Sequence, residues 1–276
     1  MDLRTTHKES TAEIGAHGNE GARTESRTHY INENIIFVMS NEKEQNHKVQ
    51  ATRKERPSGL RRRFRHNDLR RAVGWGAAKD EARKVYDAFR EAGYRQWGGL
   101  MQDDVTDGVH AMIDQGIADP HRICIVGASY GGYAALAGAA FTPELYACAI
   151  SINGVSDLSA LLQRTIPVFR IYSTSLDQWT ARIGKPGDRS LDRKSPINAV
   201  AAISAPVLII YGTSDGVVPS DQSERMAAAL SKAGKPVKLV RLPDEDHWLS
   251  RSDTRIQMLS EVEAFLREHL PVAAAP

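Results

Sequence analysis

The chain has 276 residues and a formal net charge of +2, room for one substantial core or for one domain with an extended appendage. No apolar run approaches the roughly 20 residues that cross a bilayer, and the polar, mixed-charge start of the chain has no signal-peptide core. These features argue against a secreted or membrane-spanning chain, and a soluble, cytoplasmic protein without a membrane partner is the expectation.

Residues 1–72 are poor in aliphatics and rich in Arg, Glu, Thr, Asn and His, with basic charge concentrated over residues 53–71. Only residues 35–39 (IIFVM) read as a strand. Such a stretch buries too little apolar area to offset its ordering entropy, so a polar, basic, largely disordered leader is expected. From residue 73 the pattern changes. Residues 77–92 carry a helical stripe of Ala82, Val85, Ala88 and Phe89, and residues 101–115 a second of Val105, Val109 and Met112. Short apolar runs at 123–126, 147–152, 207–211 and 237–240 then alternate with helical patterns at 133–140, 221–233 and 256–270. Uninterrupted β-branched runs suit parallel strands covered on both faces. The expected domain, residues 73–270, is therefore α/β, with its site at the carboxyl ends of the strands. The alanine-rich residues 271–276 read as a frayed tail. Cys124 and Cys148 both lie inside apolar runs and read as separate buried thiols with no need for an oxidising compartment.

The run ICIV leads directly into Gly127-Ala128-Ser129-Tyr130-Gly131-Gly132, and a helix of small residues follows. A G-x-S-x-G between strand and helix holds its serine on a sharp turn with the hydroxyl projecting, and glycine is needed where a Cβ would collide with the neighbouring strand or helix. The helix amino terminus and the Tyr130 N–H would then face a developing oxyanion. A glycine-rich connection without chemistry is the alternative. Against it stand two partners in the required chain order. Asp215 follows the run PVLIIYG in the loop TSDGVVP, where an ordinary turn aspartate is the alternative. Asp221 is a weaker candidate, placed to start the next helix. His247 follows PVKLVRLP in DEDHWL, where three neighbouring acids could simply be solvated around a surface histidine. The other histidines, His7, His17, His29, His47, His66, His110, His121 and His269, lack such placement and form no metal-ligand spacing. Ser129 as nucleophile, His247 as general base and Asp215 as its orienting acid make a complete set for acyl transfer.

With these residues in place, the segments AGYRQWGGLMQDDVTDGV, ADPHRICIVGASYGGYAAL, PVLIIYGTSDGVVPSDQS and LPDEDHWLS resemble the catalytic domain of the prolyl oligopeptidase family of serine peptidases. The similarity is nearest to its acylaminoacyl-peptidase and dipeptidyl-peptidase-like branches. It implies an α/β-hydrolase fold, a mostly parallel sheet flanked by helices. It also implies hydrolysis of peptide or acyl-peptide substrates through an acyl-enzyme, without metal or organic cofactor, and places Ser129, Asp215 and His247 at the family's catalytic positions. Members normally carry a β-propeller, whose blades need roughly 40–45 residues each, so the leader cannot be one. The H-G-G-P-like turn and the N-Y-R-G-S-x-G-Y-G-like segment are also missing. Arg-rich residues 61–85 occupy that place. The amino-terminal strands are thus expected to be incomplete and the second oxyanion donor absent, as in a truncated or frame-altered product of impaired activity. Tyr130 and Tyr133 are candidate walls of the substrate pocket, with helix packing the alternative for Tyr133. Residues 154–162 are aliphatic where proline-cleaving relatives bring aromatics, so the resemblance implies a broader preference for apolar or acylated residues rather than for proline at the cleaved position.

A carboxylic-ester hydrolase would use the same three residues, and a non-catalytic remnant would also retain them. Residues 61–65 (RRRFR) with Arg70 and Arg71 could neutralise phosphates. No aromatic platform or helix-turn-helix accompanies them, and no nucleic-acid partner is expected. The oligomeric state is not legible.

Overall fold

The computed structural model describes residues 28–31, 34–39, 75–169 and 173–271. Its elements follow in chain order: β1 (Thr28–Ile31), β2 (Asn34–Met39), α1 (Trp75–Ala92), α2 (Leu100–Asp114), β3 (Cys124–Ala128), α3 (Tyr130–Phe141), β4 (Cys148–Ile152), α4 (Leu158–Phe169), α5 (Ser173–Arg182) and α6 (Ser190–Arg193). A 3-10 helix (Pro196–Ala202), β5 (Val207–Gly212), α7 (Asp221–Lys232), β6 (Val237–Leu242) and α8 (Ser252–His269) complete the chain.

The strands form one sheet in the order β1-β2-β3-β4-β5-β6. From β3 to β6 every pair is parallel, as the buried apolar runs predict. Alternation along the strands builds two cores. Ile125, Ala149, Val207 and Ile209 pack with Val109 of α2, Tyr133 and Leu136 of α3, Leu158 of α4 and Met226 of α7. On the opposite face Val126, Ile150, Leu208 and Ile210 pack with Met258 and Phe265 of α8. α3 is buried along nearly its whole length, and its Gly and Ala positions let its backbone approach the sheet closely. Among the described residues no helix is long and apolar enough to cross a membrane.

Three features differ from the sequence reading. The expected strand at 35–39 lies within β2, but an unforeseen β1 pairs with it, and β2 runs antiparallel along β3. Strands from the leader thus occupy that side of β3, while the leader's remaining residues (1–27, 32–33 and 40–74) and residues 272–276 lie outside the described ones. The stripe predicted on α1 is not a buried face. Val85 and Phe89 are 59 % and 56 % exposed, because no described element covers them. Finally, Cys124 and Cys148 are not separate thiols. The parallel register sets them directly opposite each other, with Cα atoms 4.6 Å apart, and they form a disulfide. The reading of two separate buried thiols is thereby overturned.

Candidate active site

Ser129 stands between the end of β3 and the first turn of α3, with φ 56° and ψ −118°. A non-glycine residue at positive φ is costly, of order 1–3 kcal/mol, and persists where the surroundings fix it. Here its N–H donates to the Ile152 carbonyl of β4 at 2.9 Å, while its own carbonyl accepts from Tyr133 N–H at 3.1 Å. Space decides the neighbouring glycines. A Cβ on Gly127 would overlap the backbone of Gly131, and one on Gly132 would come 2.7 Å from the Gly154 Cα. The turn therefore closes only with these residues, and it aims the half-buried hydroxyl at the carboxyl rim of the sheet.

Asp215 lies in the loop after β5, its side chain 1 % exposed. One carboxylate oxygen accepts the N–H groups of Val217 and Val218, both at 2.8 Å. The other is 2.7 Å from His247 Nδ1, and His247 Nε2 is 3.0 Å from Ser129 Oγ. The three residues chosen from the sequence thus meet in one hydrogen-bonded line, with the imidazole in the middle and its side chain 6 % exposed. Asp221, the rival acid, instead opens α7 and pairs with Arg164 at 3.6 Å.

The loop that carries His247 is built from acids for which simple solvation was the alternative. Glu245 is fully buried and accepts from the Asp246 N–H at 2.9 Å and from the Thr254 hydroxyl. Asp246 accepts from the amides of Trp248 and Ser250 at 2.9 and 3.2 Å and from the Ser250 hydroxyl at 2.7 Å. The Ser250 hydroxyl, first among several donors, holds the Asp246 carboxyl below its usual range. Asn153, buried at the end of β4, donates to the carbonyls of Asp246 and His247 and accepts the Gly212 N–H at 2.8 Å. These residues bind the histidine loop to the ends of β4 and β5. The signal in the sequence was the position of Asn153 directly after a buried strand.

The tyrosines divide. Tyr130 opens α3, where its N–H has no intrahelical acceptor and lies beside Ser129. Its ring is 5 % exposed, and its hydroxyl has no hydrogen-bond partner among the described residues. Burial, then the charge of Asp104, raises its pKa. Of the two readings open for Tyr133, pocket wall and helix packing, its position fits packing. It is wholly buried, packs 4.9 Å from Trp97 between ring centroids, and donates its hydroxyl to the Lys194 carbonyl at 2.8 Å. The aliphatic side chains of residues 154–162 are likewise in the core, with Val155, Leu158, Leu161 and Leu162 at most 2 % exposed. The same stretch turns Asp157, Ser159 and Ala160 toward a polar cavity of about 700 Å³ shared with Asp192, Arg193 and Arg225.

Among the described residues no group of His, Cys, Asp and Glu is arranged to hold a metal ion. The Arg-rich residues 61–65 with Arg70 and Arg71, and most of the stretch replacing the second oxyanion donor, lie outside the described ones.

The proteins to which this chain is similar are peptidases. A family model described as the prolyl oligopeptidase family matches residues 85–272. The chain is 34 % identical over 192 residues to dipeptidyl aminopeptidase BIII of Pseudoxanthomonas mexicana, an alignment covering 68 % of this chain and 27 % of that protein. It is 27 % identical over 179 residues to the acylamino-acid-releasing enzyme of Arabidopsis thaliana, covering 62 % of this chain and 23 % of that one. A solved puromycin-hydrolyzing peptidase of Mycobacterium tuberculosis superposes with a TM-score of 0.62 at 33 % identity, over 67 % of this chain and 28 % of its own. The chain thus spans about a quarter of the length of these relatives.

Proposed function

From the fact that the chain belongs to the prolyl oligopeptidase family, we propose that it hydrolyses peptide or acyl-peptide bonds through an acyl-enzyme on Ser129. One observation carries the proposal. The His247 imidazole bridges Ser129 Oγ and Asp215 at 3.0 and 2.7 Å.

Attack begins when the Ser129 oxygen bonds to the scissile carbonyl carbon and its proton passes to His247 Nε2. Asp215 accepts from the Nδ1–H, fixes that tautomer and stabilises the imidazolium. The tetrahedral oxyanion forms beside the Tyr130 N–H and the amino terminus of α3, where backbone donors are oriented before charge develops. Collapse breaks the bond to the leaving amine, which takes the proton from His247. Water, deprotonated by the same imidazole, then releases the acid and restores the serine. Asn153, Glu245 and Asp246 hold the imidazole in place without touching the substrate.

The test is turnover by the full chain of aminoacyl anilides beside nitrophenyl esters. Anilide hydrolysis that disappears in Ser129→Ala is the expected result. Ester turnover without anilide turnover would instead favour a carboxylic-ester hydrolase, whose easier chemistry tolerates a weaker oxyanion site.

A further inference from the structure

Trp248 directly follows His247 and, at 77 % exposed, is the most exposed large apolar side chain among the described residues. It does not hang from a loose loop. Its N–H is bound by Asp246 at 2.9 Å, and Leu249 beyond it, at φ 54°, packs into the core below. The indole meets the His247 ring edge to face, with centroids 5.2 Å apart and planes at 87°. A large aromatic surface therefore stands in solvent on a backbone tied at both sides, beside the group that moves the proton.

The direction it faces follows from the chemistry. In the reaction above, His247 delivers its proton to the departing amine, so the imidazole borders the leaving-group half of the substrate. A side chain packed on that imidazole is within reach of the residue just after the scissile bond. We propose that Trp248 forms the wall of a leaving-group subsite that receives an aromatic or large apolar side chain on the face of its indole. Aromatic pairs gain beyond simple burial, and an indole, with only two side-chain torsions, loses little conformational freedom when covered. The proposal rests on the hydrolase function given above.

Microscopic reversibility provides a direct readout. An amine that takes the acyl group from Ser129 enters where the leaving amine departed. Its nitrogen bonds to the acyl carbon, the Ser129 ester bond breaks, and the amine proton returns through His247 to Oγ. The full chain is acylated from an aminoacyl ester, and the acyl group partitions between water and added phenylalaninamide or glycinamide. Phenylalaninamide is expected to capture it about tenfold better than glycinamide, the size of one good aromatic contact. Trp248→Ala should reduce that ratio to about twofold or less, and Trp248→Phe should keep the greater part of it. Because the indole is exposed, its removal opens no cavity in the core. A ratio unmoved by Trp248→Ala, in a protein that still forms the acyl-enzyme, overturns the subsite and leaves the hydrolase intact. No acyl-enzyme in the unsubstituted chain overturns both.

Discussion

Ser129 keeps φ at 56° because Gly127, Gly132 and the Ile152 carbonyl leave it no other turn. Its reactivity depends on an imidazole of one tautomer, which Asp215 selects while two backbone amides hold the carboxylate. Asp215→Asn should therefore fold normally yet lower kcat by roughly 10⁴. A circular-dichroism melt beside steady-state turnover checks both halves, and near-normal turnover would remove Asp215 from the mechanism. Tyr133 behaves as core. Tyr133→Phe leaves the Lys194 carbonyl without its donor and should cost about 1 kcal/mol in urea unfolding, with substrate preference unmoved. A changed preference at constant stability would return it to the pocket. The three reactive residues were legible because acyl transfer demands those types at strand ends. For Tyr133 the choice between pocket wall and helix packing stayed open, because the group that captures its hydroxyl lies 61 positions away.

The loop between β6 and α8 shows how an element positions one side chain. DEDHWLS looks like a solvated acidic turn, yet Glu245 is fully buried and ties the loop to Thr254 at the start of α8. Asn153 holds its other side against the end of β4. Glu245→Ala strips the acceptor from the Asp246 and Arg251 amides and leaves the Thr254 hydroxyl only the Arg251 carbonyl, and should cost about 1–3 kcal/mol. Because Glu245 ties down the loop that carries His247, kcat should fall while KM stays near its original value. A rise in KM alone would mean that the loop binds substrate instead of aiming the base. Strand identities from β3 to β6 were readable from buried apolar runs. The pairing of Cys124 with Cys148 was not, since it depends on which strands are neighbours and in what register.

Across the whole molecule, the parallel sheet gathers onto one rim groups that are 118 positions apart in the chain. The two-core packing explains why the fold class was legible: each buried strand feeds side chains to both faces. Less was legible toward the amino terminus, where β1 and β2 add antiparallel strands from a polar leader. There α1 exposes Val85, Tyr86 and Phe89, each more than half accessible and with no described element over them. Clustered apolar surface of this kind favours association. The unsubstituted chain is expected to self-associate in sedimentation velocity and Val85→Ser with Phe89→Ser to lower that association, and an unchanged distribution would show that this face is not responsible. The convergence of Ser129, Asp215 and His247 remains the claim on which the chemistry depends. Intact-protein mass spectrometry after exposure to a fluorophosphonate tests it most directly. One adduct, mapped to Ser129 and suppressed in both Ser129→Ala and His247→Ala, is the predicted result. An unlabelled chain, or an adduct that survives in Ser129→Ala, would contradict it.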